Sequence, residues 1–416
     1  MAPIWMAIFL LIFVLGHYFR SYLAFSTLKS GESLATLNPE WESVDWDIVS
    51  YGLTVATAAL LLFLIFTFVF VRPPKNHTPP YLKTDISIAN NEYLIPILFL
   101  CSLISLASIA LRLHLGIGRM GFETVRLPLQ LDTVIFRIQS VLLPITFLFL
   151  AFIFHQLNRL AVRNFSITIL LIHYVLISMS SLSKSGLAFG IISIAVLFYL
   201  MGAITYRMKL LLGIGAIFAV LFYQFGWTIR GAALSGNLGN SSIIDLSIET
   251  IKNFINAPLR IVQEIALRIT GADGIWHTYS LASPLPNPRI LTEIIDRGIV
   301  EVFTRDIVGV AWTSDFREPG IVATFILIGG FVGFPFVFLL FLFAIAMLWK
   351  QLERTKAAPV LGTYTAISIL TLTTSGSLSI NELISYFVGI IFYLCLCSLF
   401  LFKRIPFGVS KLNGAI

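Results

Sequence analysis

Residues 93–115, YLIPILFLCSLISLASIALRLHL, form an apolar run of the length that carries a helix across a bilayer. Runs of the same kind recur at 4–19, 48–71, 138–157, 165–182, 187–206, 210–225, 321–349, 360–377 and 383–402. At about 20 residues per crossing, these make about ten spans. Composition agrees: 57% of the 416 residues are hydrophobic and 12% are charged, about half the charge of an ordinary soluble domain. The expected fold is all-α, a polytopic transmembrane helical bundle. Residues 1–226 would hold spans one to seven, 227–318 a long, partly helical outer loop with the active site, and 319–416 the last three spans. The first run lacks the basic flank and small-residue cleavage site of a signal peptide, so it reads as a retained span.

The 28 basic and 21 acidic residues leave a net charge of +7. In a soluble chain that excess would point to nucleic acid; here the positive-inside rule accounts for it. With the N-terminus cytoplasmic, Arg72, Lys75, Lys83, Arg159, Arg163, Arg207, Lys209, Lys350, Arg354 and Lys356 fall inside, as do Lys403, Arg404 and Lys411 near the C-terminus. The acidic connection with Glu32, Glu40, Glu42, Asp45 and Asp47, the segment 116–137, the turn at Lys184 and the long loop fall outside. Cys101, Cys395 and Cys397 lie in apolar runs, with neither the spacing of a disulfide framework nor a Cys/His cluster for a metal. No metal site and no cofactor is expected.

The long loop carries Arg230, Arg260, Arg268, Arg289, Arg297, Arg305 and Arg317 against one lysine, Lys252. A guanidinium forks onto phosphate oxygens and stays charged, whereas lysine is a flexible point charge, so the bias suits an anion. Asn256 and Pro258 read as a helix start and Gly271 as its stop, with Arg260, Glu264 and Arg268 at steps of four along one face. Such a helix could lie in the membrane interface. The run RITGADGIWH, residues 268–277, brings a cation, a carboxylate, an imidazole and an indole together around two glycines. Trp276 offers a flat face to a sugar ring, and Asp273 or His277 could accept a proton from a sugar hydroxyl. The plainer alternatives are that Asp273 caps a turn and Trp276 anchors at the interface.

Other motifs divide in the same way. Gly116, Gly118 and Gly121 spell G-x-G-x-x-G, but the fingerprint needs a strand before it and a helix after it; these glycines read as a turn out of the bilayer. Arg119, Arg126 and Arg137 place positive charge outside, where the inside rule does not ask for it. They are candidate anion ligands, with pairing to Glu123 or to headgroups as the alternative. Lys184, between Ser183 and Ser185, either meets a phosphate or snorkels to the interface. His155 and His173 sit within spans and are read as satisfied packing residues.

About ten spans, a long late outer loop, the Arg-x-x-Gly-x-Asp-like run at 268–273, and Glu318-Pro319-Gly320 feeding a span with Gly329, Gly330 and Gly333 resemble the O-antigen polymerases. These are the oligosaccharide repeat-unit polymerases of the Wzy type. The resemblance covers most of the chain in layout, on short and degenerate motifs. It implies a multi-pass enzyme of the bacterial inner membrane, with both termini cytoplasmic, that works on the periplasmic side. It would move a growing glycan from undecaprenyl diphosphate onto a second lipid-linked repeat unit. The partners implied are that donor and acceptor, membrane lipids and a chain-length regulator protein, with no nucleic acid. Members often carry an arginine where this chain has Lys184, which keeps the charge and loses the fork.

The leaving diphosphate is already a good one, so the protein mainly neutralises charge and aligns the acceptor hydroxyl. Arg230, Arg260, Arg268 and Arg317 are expected on the diphosphate, with Lys184, Arg119 and Arg126 as further ligands. Asp273, His277 and Glu318 remain equal candidates for the base. Three rivals stand beside this reading: an O-antigen ligase with a lipid A core acceptor, a lipid-linked oligosaccharide flippase or other transporter, and a metal-dependent transferase using Asp45 and Asp47. Transport would call for charges within spans, and the spans read as nearly free of them.

Overall fold

A computed structural model describes residues 91–116, 127–128, 131–181, 186–234, 243–256, 287–297, 325–330, 332–340, 359–364, 367–368 and 380–400, with scattered positions between 22 and 65 and residues 302 and 343. Every regular element among them is helical. Four helices are long and apolar enough to cross a membrane: α1 (Leu94–Leu115), α2 (Leu131–Gln156), α3 (Leu160–Ser181) and α5 (Tyr206–Leu234). Between α3 and α5 runs a shorter apolar helix, α4 (Gly186–Leu200). Beyond the bundle's first part lie α6 (Ile243–Asn256), α7 (Pro288–Arg297) and the apolar α8 (Ile380–Phe400). These account for six of the expected runs; that at 4–19 lies outside the described residues, those at 48–71 and 360–377 largely so, and that at 321–349 is described in part, as helical backbone at 325–330 and 332–340.

The pillar of the bundle is α2. Its most apolar window is 61% buried, against 22% or less for the other three long helices. Residues 143–154 are buried all round, Phe147, Phe149, Phe152 and Phe154 among them. A helix that is apolar on every face needs neighbours on every side. α1, α3, α4 and α8 supply them, together with Val360 and Leu361. By contrast, α1 and α5 expose Phe99, Leu103, Leu106, Leu210, Ile214 and Phe218 on their outer flanks, as lipid-facing helices do.

Several boundaries move. α2 starts at Leu131 rather than 138, so Arg137 is helical, not part of an outer loop. α3 starts at Leu160, and α5 extends past 225 to Leu234, carrying Trp227 and Arg230 in helical backbone across the expected start of the loop. Asn256, expected to open a helix, is itself helical at the end of the described residues of α6. The helix expected at 256–271 otherwise lies outside the described residues. Gly116 ends α1 in the left-handed region at φ 67°, its N–H on the Arg112 carbonyl, which is the turn expected of it. Gly329 lies close against the chain just beyond it. A Cβ there would sit 2.9 Å from the Phe334 nitrogen, and Gly330 turns at φ 64°.

Candidate functional site

Of the residues singled out in the sequence, Arg119, Arg126, Lys184, Arg260, Arg268, Asp273, Trp276, His277, Arg317 and Glu318 lie outside the described residues. Arg230 is placed only as a backbone position near the end of α5. No two of them are brought together among the described residues. What the structure does assemble is a buried polar group of which the sequence reading named only His173, and that as a packing residue: Ser105 and Arg112 on α1, Gln139 on α2 and His173 on α3.

Its origin is a defect in α2. Pro144 has no N–H and crowds the carbonyl four residues before it. Just ahead of it, Ile138–Leu142 widens into a π-helical turn, in which the Leu143 N–H reaches back to the Ile138 carbonyl. That shift deprives the Gln139 carbonyl of its α-helical donor, Leu143. In the π register its donor would be residue 144, which is proline. An acceptor is thus left open in a membrane interior, where an unmet carbonyl is costly.

His173 fills it. Its Nε2 lies 2.8 Å from the Gln139 carbonyl, and its Nδ1 lies 2.6 Å from Ser105 Oγ. A carbonyl can only accept, so Nε2 carries the hydrogen. In the neutral ring Nδ1 then accepts from the Ser105 hydroxyl. Both ring nitrogens are used, in line with the expectation of a satisfied packing residue. The Gln139 side chain turns to α1, where Arg112 Nη1 donates to Oε1 at 3.1 Å. The same guanidinium stands 5.9 Å from the centre of the Phe136 ring. Gln139 is fully buried, and its Nε2 donor has no acceptor.

Arg112 is 4% exposed, which amends the expectation that the spans are nearly free of charge. A buried cation inside a spanning helix marks a site of function more often than one of stability. Successive helices joined by short connections alternate in direction, so Leu115, Leu131, Ser181 and Gly226 share one end of the bundle. The polar group sits towards that end. The buried residues of α2 beyond it are apolar apart from Thr146, which donates to the Leu142 carbonyl. At the opposite end His155 Nδ1 accepts from Arg163 Nη1 at 3.1 Å, and Arg163 lies over Phe198.

The chain matches no known protein family, no curated protein and no solved structure. Chemistry must therefore be read from the residues alone. The group offers hydrogen-bond donors and one fixed positive charge, and its imidazole is held between two partners. It is suited to binding and to fixing helices rather than to taking a proton. No cluster of three His, Cys, Asp or Glu side chains that could hold a metal occurs among the described residues. Asp47, from the metal-dependent reading, is exposed, and Asp45 lies outside the described residues.

One signal in the sequence could have led here. Pro144 lies mid-span, with Gln139 one helical turn before it, and a polar side chain beside a broken hydrogen-bond ladder is where another helix must send a donor.

Proposed function

We propose that this chain is a glycosyltransferase that polymerises oligosaccharide repeat units carried on undecaprenyl diphosphate, at the periplasmic face of a bacterial inner membrane. The observation that carries the reading is the arginine bias of 227–318, a segment that leaves the bundle from the end at which Arg112, Gln139 and His173 are buried. Guanidinium groups suit a lipid diphosphate, which presents its charge at the membrane surface. Arg230, Arg260, Arg268 and Arg317, with Lys184, Arg119 and Arg126, hold the diphosphate. Asp273, His277 or Glu318 takes the proton of the acceptor hydroxyl, and Trp276 stacks on a sugar. The new glycosidic bond forms as the bond to the diphosphate breaks, and undecaprenyl diphosphate leaves. Charge neutralisation and alignment carry the rate.

One observation favours a second reading. Arg112 is buried within a span, and charges within spans are expected of a flippase or other transporter of the same lipid-linked glycan.

The test is a reconstitution. Purified protein in lipid receives a lipid-diphosphate-linked repeat unit and a chelator, with no nucleotide sugar. A ladder of lengthening glycans supports the polymerase. Transfer only onto an added lipid A core marks a ligase. Passage of unaltered substrate across the vesicle membrane marks the transporter.

A further inference from the structure

α2 is built as two bodies joined by one wide turn. Beyond the turn, residues 143–154 are buried on every side, and close packing holds them against rotation. Before it, Leu131–Arg137 has no buried residue, and Leu131, Val134 and Phe136 are 47%, 47% and 49% exposed. The outer part is the one that can turn about the helix axis.

The turn offers two hydrogen-bond registers. In the wide one, which the structure holds, the Leu143 N–H is on the Ile138 carbonyl and His173 Nε2 serves the Gln139 carbonyl. In the tight one the same N–H takes the Gln139 carbonyl, four residues back. A carbonyl aimed along α2 at Leu143 is no longer aimed across it at α3, so the two donors replace each other. Neither register is fully satisfied. The wide one buries Gln139 completely, with its Nε2 donor lacking an acceptor. The tight one sets the Pro144 ring against the Ser140 carbonyl and leaves that carbonyl without its donor. A fault of the same kind on each side keeps the two close in free energy. Single π turns inside α-helices are frequent at functional sites.

We propose that α2 is a two-state element: the wide turn at Ile138–Leu142 closes to α-helical bonding, and Leu131–Gln139 rotates by about 100°, one residue's turn, while 143–154 stays in place. The rotation reaches the buried cation. Arg112 takes two contacts from this part of α2, the bond from its Nη1 to Gln139 Oε1 at 3.1 Å and the Phe136 ring at 5.9 Å. Both belong to the wide register and leave together. The register of α2 therefore sets what surrounds Arg112, whatever reaction the protein performs.

The test uses the full chain in lipid vesicles, with Cys101, Cys395 and Cys397 replaced by alanine. Nitroxides are attached in pairs, Val134→Cys with Met179→Cys on α3 and Val134→Cys with Phe218→Cys on α5, all at side chains about half exposed. Dipolar distances between the labels are read in three backgrounds. These are the parent, Pro144→Ala, which removes the clash of the tight register, and His173→Leu, which removes the donor of the wide one. At a helix radius of about 5–6 Å, the rotation carries the Val134 label by roughly 8 Å. The expected result is one major distance in the parent with a second at several per cent. That second distance becomes the major one in Pro144→Ala and grows in His173→Leu, while a Met179–Phe218 pair stays constant. One distance shared by the parent and Pro144→Ala overturns the proposal. So does a second distance that the parent lacks, or one that His173→Leu leaves unchanged. An equal shift in the Met179–Phe218 pair overturns it too, because the motion would then not belong to α2.

Discussion

His173 donates from Nε2 to the Gln139 carbonyl at 2.8 Å, and that carbonyl is open because Pro144 stands one π turn beyond it. A local fault in the central helix is thereby repaired by a side chain from the next. The repair ties α2 to α3 and, through Ser105 and Arg112, to α1. A sequence feature that weakens one helix thus becomes an interhelical lock.

Removing the imidazole leaves the Gln139 carbonyl buried without a donor. His173→Leu should cost about 1–3 kcal/mol, the range for an orphaned buried polar group. Interhelical bonds in membranes fall towards the low end, averaging about 0.6 kcal/mol. Ser105→Ala should cost less, because its oxygen can be dispensed with once Nδ1 is the only group left wanting. Thermal unfolding midpoints in detergent would rank His173→Leu below Ser105→Ala and both below the parent.

The link between Pro144 and His173 is tested by a double-mutant cycle. In Pro144→Ala the helix can return to i→i−4 bonding and supply its own donor to the Gln139 carbonyl. The stability cost of His173→Leu should then shrink in the Pro144→Ala background. Equal costs in the two backgrounds would show that the proline is not what opens the acceptor.

Helix packing makes a sharper contrast. A Cβ on Gly190 of α4 would lie 2.9 Å from Tyr174 Cδ2 of α3, whereas one on Gly213 of α5 would meet nothing within 4 Å. Gly190→Val should therefore lower the unfolding midpoint through overpacking, by about 1–3 kcal/mol. Gly213→Ala should be neutral or raise it, by up to about 1 kcal/mol from helix propensity.

The spans were legible because a bilayer imposes length and apolarity on any segment that crosses it. The runs at 93–115 and 383–402 therefore needed little context. Their ends were less legible. Asp132 and Arg137 looked like loop residues, and Trp227 and Arg230 looked like the start of one, yet helical hydrogen bonding continues through both pairs. The polar group could not be read in advance, since Arg112 and Gln139 are 27 positions apart and Gln139 and His173 are 34 apart. Only the packing of three helices makes them neighbours. Likewise α6 has a strong apolar periodicity, but which of its apolar residues are buried and which stay uncovered is set by how it packs on α5.

In the long loop, Arg268→Ala should abolish polymer while leaving the amount of protein in the membrane unchanged, and Arg268→Lys should restore little of it. A lysine retains charge but lacks the bidentate fork. Glycan ladders and quantitative blots of the same membranes give both readings; parent-level polymer in Arg268→Ala would remove that residue from the site.

The most direct measurement follows the leaving group. Purified protein in lipid vesicles is given a labelled lipid-diphosphate-linked repeat unit in the presence of a chelator, and free lipid diphosphate is quantified by mass spectrometry. The account predicts one lipid diphosphate released for each glycosidic bond formed, with no metal added. Intact substrate throughout, from a preparation that another polymerase does extend, would contradict it.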